Sequence, residues 1–512
     1  METLLESLYN LQIGLGVTLQ PYALLMMTIG LLLGLVIGVL PGLGGTAGVA
    51  IMLPLAFLVP RDVGIIFLAA IYWGALYGGV ITSILFAIPG EPWSVALIFD
   101  GYPMAKKGQA GLALTAAFFS SFVGMIIGSV IFVVAALPIA LFALRFGPPE
   151  MFAIIMLAFS TFVGLGRGSV WKTLVATAVG LMLTTVGLDI VTGQPRLTFG
   201  SIAFLSGFHF VPVTVGLFGL GEILINAEER IGMKFEQISA KMGWKDFKAG
   251  ILSIWHRLGI TMMGTILGFF IGTLPGTGAT PASFVGYGVA KQYSKHPEKY
   301  GDGIVEGVIA PQSAAQAAGT GSLLPLVTLG IPGSPTAAVL LAGLFMYGLI
   351  PGPRLFLEET TFIWGLIASL FIANAICLVI CLAGTPLLAS IMRVPWAILT
   401  PIIVVALVIG AYAMRNFMFD IWCVFIFGVL GYAMKKLNYP LAPLAVALVL
   451  GSMAEADLRR SLIMGDGSIA IFFERPLTAG ILGFAFLLFA LPIARMLIVK
   501  IRGAMGAGKQ PA

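Results

Sequence analysis

The sequence predicts an all-α, polytopic membrane protein built on two inverted repeats with broken helices. Three observations carry this. Of 512 residues, 59% are hydrophobic and 10% charged, against about 25% charged in a soluble domain. Ser7 to Pro60 and Gly307 to Pro353 contain no Asp, Glu, Lys or Arg. A motif also recurs: Leu33 to Thr46 (LGLVIGVLPGLGGT) matches Leu267 to Thr280 (LGFFIGTLPGTGAT) at nine positions, offset by 234. A second echo pairs Ile88-Pro89-Gly90-Glu91-Pro92 with Ile331-Pro332-Gly333-Ser334-Pro335, offset by 243. The apolar runs are continuous rather than alternating, which argues against a β-barrel.

Residues 1–20 read as an amphipathic N-terminal surface segment. Residues 21–109 are repeat 1. Its first helix runs from about Pro21 to Leu40 and stops at Pro41-Gly42. Thr46 to Val59 is a half-helix or re-entrant piece, since a full crossing takes about 20 residues. Val63 to Ile88 spans to the second break, and Pro92 opens another short piece. Lys106-Lys107 mark a basic loop, placed in the cytoplasm. Residues 110–226 hold four crossings, roughly 110–140, 150–166, 169–191 and 198–226, with Arg167 and Lys172 in an inner turn. Residues 227–257 are a cytoplasmic polar loop, in which Arg230, Lys234, Lys241, Lys245, Lys248 and Arg257 outnumber four acids.

Residues 258–353 are repeat 2. Its broken helix ends at Leu274, and the next piece starts with Thr280 as N-cap and Pro281 at the first helical position. Lys291 to Asp302 accounts for the extra nine residues between the two offsets. Gly303 to Ile331 reaches the second break, and Ser334-Pro335 again reads as N-cap and first helical position. Residues 354–512 give five crossings, roughly 360–383, 395–413, 417–434, 438–454 and 476–499, then a tail with Lys500, Arg502 and Lys509. Acidic Glu358 and Glu359 follow repeat 2 where Lys106 and Lys107 follow repeat 1, so the copies are expected to be inverted. This topology puts the N-terminus outside, the loop 455–475 outside and the C-terminus inside; Arg145 and Arg415 are its exceptions.

The net charge of +6 lies in loops, which points to membrane orientation and not to nucleic acid. Cys377, Cys381 and Cys423 sit in apolar runs as small core residues. No basic n-region precedes the first apolar run, so no cleaved signal peptide is expected. No P-loop, nucleophilic triad, zinc spacing or paired carboxylates appear. An enzyme is not expected, nor any cofactor, and an ATP-driven pump would need its nucleotide site on another chain.

A helix stopped inside the bilayer leaves free carbonyls at its C-terminal end and free N–H groups at the next N-terminus. The N-termini near Thr46, Pro92, Thr280 and Ser334 suit a carboxylate. The carbonyl ends at Leu40 and Leu274 suit Na⁺. The candidate substrate-binding set is Gly42, Gly44, Thr46, Thr82, Ser83, Gly90, Ser94, Gly276, Gly278, Thr280, Gln312, Ser313, Gln316, Gly333, Ser334 and Thr336. The candidate coupling-ion set is Leu40, Glu91, Leu274, Thr320 and Ser322, with Na⁺ as the metal considered and Na⁺ or H⁺ as coupling ion. Each hydroxyl has a plain alternative, a bond to its own preceding turn or to a neighbouring helix. Glu91 is open between an ion ligand and a helix cap, and Gln312 and Gln316 between substrate ligands and helix bridges.

At these motifs the chain resembles the large membrane subunit of the tripartite tricarboxylate transporters, the TctA family. The resemblance rests on Gly38-Val39-Leu40-Pro41-Gly42-Leu43-Gly44-Gly45, Tyr77-Gly78-Gly79, Ile81-Thr82-Ser83-Ile84-Leu85, Ile88-Pro89-Gly90-Glu91-Pro92, Asp100-Gly101-Tyr102-Pro103-Met104-Ala105 and Thr328-Leu329-Gly330-Ile331-Pro332-Gly333-Ser334. It implies a bacterial inner-membrane secondary transporter coupled to Na⁺ or H⁺. It also implies a small TctB-like membrane subunit, a periplasmic TctC-like solute-binding protein that delivers an organic carboxylate, and an elevator-like movement. Val80 and Ala87 stand where the family carries Ser and Asn, and Gln312-Ser313-Ala314-Ala315-Gln316 stands for a Glu-Ala-Ala-Asn-Asn run. A less charged or differently shaped substrate than citrate is therefore expected. Other expected partners are the lipid bilayer and a second copy of the chain. The competing readings are an uncoupled channel or facilitator for a small anion, and a membrane-embedded enzyme or scaffold.

Overall fold

The computed structural model describes residues 2–40, 43–165, 169–189, 192–229, 242–391 and 396–490. Gly42, Arg167, Arg230, Lys234, Lys241 and the C-terminal tail lie outside the described residues. The chain is helical almost throughout and forms two compact units: Met1–Leu144 with His209–Ala433, and Arg145–Phe208 with Met434–Ala512. Among the described residues, seven helices are long and apolar enough to cross a membrane. This is an all-α polytopic membrane protein.

The first unit holds both repeats. Helix α1 (Glu2–Thr18), expected at the membrane surface, packs along a later helix: Thr18 Oγ1 donates to the Gly365 carbonyl at 3.0 Å. Repeat 1 comprises α2 (Pro21–Val39), α3 (Gly44–Ala56), α4 (Arg61–Phe86), a 3₁₀ turn at Pro92–Ser94 and α5 (Val95–Met104). At 13 residues α3 rises about 20 Å, short of the roughly 30 Å hydrocarbon core, as a half-helix should. The basic loop expected at Lys106-Lys107 is a π turn, Ala105–Gln109, bent at Gly108 (φ +77°) before α6 (Ala110–Ala143). The last crossing before the polar loop starts late: residues 198–209 are non-helical or a short 3₁₀ turn. Helices α9 (Phe210–Thr214) and α10 (Gly221–Glu229) follow, joined by a π turn.

Part of the expected polar loop is a helix, α11 (Trp244–His256), bent by 74° from α12 (Leu258–Thr273). Its polar residues repeat with helical spacing, which a charge count overlooks. Repeat 2 continues with α13 (Ala279–Tyr293), α14 (Glu306–Leu329) and α15 (Pro335–Met346). The unit closes with α16 (Pro353–Glu358), α17 (Thr360–Ser390), α18 (Trp396–Arg415) and α19 (Met418–Lys436).

The two repeats are joined internally by the same device. Helix α2 carries Gly30, Gly34 and Gly38; α12 carries Gly264, Gly268 and Gly272, each 234 residues later. A Cβ on Gly30, Gly34 or Gly38 would lie 2.6, 2.2 or 2.3 Å from the carbonyl oxygens of Phe67, Ile71 and Ala75 on α4. In repeat 2 the corresponding contacts are 2.8, 2.2 and 2.3 Å, to Ala310, Ala314 and Ala318 on α14. Those carbonyls are themselves 243 residues apart from their counterparts. Small residues every fourth position let the backbones approach closely, which is how helices associate without a hydrophobic drive.

The second unit contains α7 (Pro148–Leu165), α8 (Val170–Thr184), a hairpin pairing β1 (Gly187–Leu188) with β2 (Pro195–Arg196), α20 (Leu441–Met464), α21 (Ile471–Glu474) and α22 (Pro476–Ala490). Helix α8 ends at Thr184, so the crossing expected over 169–191 is only 15 residues long. The loop expected at 455–475 is helical to Met464, because its charges pair along the helix and with the hairpin. Arg459 bonds Glu455 at 2.6 Å and Asp189 at 3.0 Å, and Arg196 bonds Asp189 and Glu455 at 3.0 and 2.8 Å. Glu150 at the start of α7 pairs with Arg475 at 2.8 Å and accepts from Thr478 at 2.8 Å.

Candidate functional site

Each second break is built by the same turn chemistry. Helix α4 ends in a left-handed Ala87 (φ 56°), and Ile88 N–H bonds back to the Thr82 carbonyl at 3.3 Å. Helix α14 ends in a left-handed Gly330 (φ 75°), and Ile331 N–H bonds back to Pro325 at 3.1 Å. A proline follows in both copies and cannot extend the helix. The next glycine then packs on the first helix of its own repeat. A Cβ on Gly90 would stand 2.4 Å from the Gly38 carbonyl, and one on Gly333 would stand 2.4 Å from that of Gly272. The two breaks of one repeat are thus packed together.

At the first breaks the copies differ. Gly44 (φ +59°) faces the Glu91 side chain, and Gly45 N–H donates to Glu91 Oε1 in the first turn of α3. Glu91 is also bracketed by Ser94, whose Oγ donates to its carbonyl at 2.8 Å. In repeat 2, Gly278 (φ +61°) faces Ser334, and Gly278 N–H bonds the Gly333 carbonyl at 3.1 Å. Thr280 and Pro281, expected as N-cap and first helical residue, are the second and third residues of α13. Gly278 is the cap, because its positive φ already turns the chain into the helix. Likewise α3 starts two residues before Thr46. Ser334 behaves as expected: its Oγ accepts from Ala337 N–H at 3.0 Å.

The repeats meet through these ends. Thr46 Oγ1 of repeat 1 lies 2.8 Å from Thr336 Oγ1 of repeat 2. Helix α3 packs on α15, and α13 packs on the Pro92–Ser94 turn, a reciprocal exchange. Ser334 Oγ donates to Ser322 Oγ at 3.1 Å, and Ser322 donates to the Gly319 carbonyl at 2.8 Å. Tyr72 of α4 lies beside them, its hydroxyl oxygen 3.4 Å from where a Cβ on Gly319 would stand. Thr46, Glu91, Gly276 and Thr280 are half-buried.

Other expected residues sit elsewhere or are already engaged. Gln312 Nε2 donates to Ser121 Oγ at 2.5 Å and Gln316 Nε2 to Met125 Sδ at 3.5 Å, so both face α6. Their Oε1 atoms have no partner among the described residues. Ser313 and Thr320 bond their own helix, at the Ala310 and Gln316 carbonyls. Thr82 bonds the Gly79 carbonyl at 3.3 Å, and buried Ser83 has no partner among the described residues. The Leu274 carbonyl accepts from both Thr277 N–H at 3.2 Å and Thr277 Oγ1 at 2.8 Å, and Leu40 accepts from Leu43 N–H at 3.3 Å. Among the described residues no group of three His, Cys, Asp or Glu gathers as a metal site.

Two residues carry contacts that their place in the sequence does not reveal. Tyr72 stood in an apolar run with only its hydroxyl to mark it. Asp100 is fully buried. Its Oδ1 accepts from Gly301, Gly303 and Ile304 N–H at 2.9, 2.8 and 3.0 Å, and its Oδ2 from Tyr287 at 2.9 Å. Repeat 1 thereby holds the insertion of repeat 2. Nearby Tyr300 has its phenol pushed up to about 12 by burial, so it stays neutral.

Duplicated broken helices packed against one another within a bundle of apolar spans make a polytopic membrane protein of the kind found among transporters. The chain belongs to the tripartite tricarboxylate transporter TctA family, whose model matches residues 24–446. The family names the membrane component of a tripartite transport system, a transporter and not an enzyme. Two relatives come from Agrobacterium vitis. An "uncharacterized 52.8 kDa protein in TAR-I ttuC' 3'region" is 38% identical over 94% of this chain and 95% of its own length. An "uncharacterized protein in TAR-II ttuC' 3'region" is 37% identical over 42% of this chain and 89% of its own length. No solved structure matches the chain.

Proposed function

We propose that this protein takes up an organic carboxylate, coupled to Na⁺ or H⁺, as the large subunit of a binding-protein-dependent symporter in the bacterial inner membrane. Its partners are a small TctB-like subunit and a periplasmic TctC-like solute-binding protein. The N-terminus is periplasmic, the C-terminus cytoplasmic, and the repeats are inverted and move in an elevator-like way. The single observation that carries this reading is the meeting of the two broken-helix repeats at Thr46 and Thr336, 2.8 Å apart. There the N-termini of α3 and α13 supply N–H donors and positive dipole ends for a carboxylate, and Glu91 supplies the one acidic side chain. Substrate is held by Gly44, Thr46, Gly276, Gly278, Thr280, Ser334 and Thr336. Glu91, with Ser322 close to Ser334, serves the ion. Glu91 both caps α3 and can exchange Gly45 N–H for an incoming cation or proton, so cap and ion ligand are one role seen in two states.

The test is uptake of labelled di- and tricarboxylates into proteoliposomes holding the complete three-component system. Saturable uptake that collapses when the Na⁺ and H⁺ gradients are both removed supports symport. Uptake that follows only the substrate gradient and does not saturate assigns the protein to the channel class instead.

A further inference from the structure

Helix α11 seats one face and leaves the other bare. The seated face meets α6: a Cβ on Gly250 would lie 2.4 Å from Thr115 Cγ2, and Phe247 meets Phe119 edge-on at 5.5 Å. The bare face carries Trp244 (68% exposed), Lys248, Ile251, Leu252 and Trp255 (71% exposed). These positions are i, i+4, i+7, i+8 and i+11, one stripe along a helix. Lys245 and His256 flank it, and Lys248 Nζ rests 5.5 Å over the Trp244 ring. The stripe does not stop at the 74° bend: α12 continues it with exposed Leu258, Met262, Ile266 and Phe270, every fourth residue.

One environment explains both halves. An exposed apolar stripe on α12 suits acyl chains. Helix α11 bends away from it by 74°, with an indole at each end and lysines among its apolar residues. That is the pattern of a helix lying in the headgroup boundary, where Trp anchors and Lys reaches the phosphates. We propose that α11 is an interfacial helix that binds anionic phospholipid headgroups through Lys245 and Lys248. It thereby pins the first helix of repeat 2 to one leaflet. Because α12 is locked to α14 by its glycine ladder, the composition of that leaflet acts on repeat 2.

The experiment uses the full-length protein in nanodiscs of phosphatidylcholine, with or without phosphatidylglycerol. Indole fluorescence is compared between the wild type and a Trp244→Phe/Trp255→Phe pair, with lipids brominated just below the headgroup or at the chain end. The share of emission lost in the pair is expected to be quenched by the shallow bromine and spared by the deep one. Retention of spin-labelled phosphatidylglycerol is expected to weaken roughly fivefold per lysine removed in Lys245→Gln and Lys248→Gln. If neither bromine quenches that share, water or a protein partner covers the face, and the proposal is overturned. If the indoles are quenched but both lysine variants hold phosphatidylglycerol as the wild type does, the anionic-lipid site is overturned.

Discussion

Removing the Asp100 carboxylate tests the clamp between the repeats most directly. Three backbone N–H groups and one phenol converge on it at 2.8–3.0 Å. In Asp100→Ala each lost acceptor leaves a donor to be satisfied elsewhere, at about 1–3 kcal/mol for a donor that stays dry. The loop donors are only partly buried, so water recovers some of this, and a loss of about 3–5 kcal/mol is expected. Asp100→Asn keeps an oxygen at Oδ1 for the three N–H groups but can turn an NH₂ toward Tyr287; its cost is about 1–2 kcal/mol. Tyr287→Phe removes one bond and costs about 1 kcal/mol. Thermal unfolding in detergent should rank wild type, Tyr287→Phe, Asp100→Asn and Asp100→Ala in falling order. Amide exchange at residues 301–304 should rise about 100-fold in Asp100→Ala alone, the equivalent of about 2.7 kcal/mol. An Asp100→Ala protein with wild-type melting and unchanged exchange at those amides would refute the clamp.

Gly34→Ala and Gly268→Ala should each destabilise by about 1–3 kcal/mol, since a Cβ would stand 2.2 Å from a carbonyl oxygen. Gly16→Ala on α1, where nothing lies within 4 Å, should not destabilise and should raise stability by up to about 1 kcal/mol. Ala87→Gly should stabilise by about 1 kcal/mol through relief of a left-handed residue, while Gly330→Ala should destabilise, its Cβ meeting the Pro351 carbonyl at 2.9 Å; equal melting shifts of the same sign would contradict the shared turn. Thr46→Val and Thr336→Val should show a coupling of about 1 kcal/mol in a double-mutant cycle of stability, and strict additivity would separate the two hydroxyls. Gly276→Val forces a side chain onto a φ of +77° at the proposed site; membrane expression should persist while uptake is lost, and normal uptake counts against the site.

Apolar spacing, proline and glycine act locally, and so the sequence by itself determined the class, the two copies and the Pro-Gly breaks within them. Charge-free runs have nowhere to go but lipid, and Pro-Gly ends a helix whatever surrounds it. The glycine ladder was present in the sequence as well, at every fourth residue in both copies, but spacing alone does not say which carbonyls it meets. Local rules failed where charges found distant partners. Residues 455–464 looked like a loop because Glu455 and Arg459 look solvated in sequence, yet Asp189 and Arg196 neutralise them. Only the tertiary structure decided that Glu91 reaches Gly45, that Gln312 and Gln316 turn to α6, and that Thr46 meets Thr336. Those contacts span 46, 191 and 290 residues of chain. Their partners are chosen by how whole helices pack, and no window of sequence contains that information.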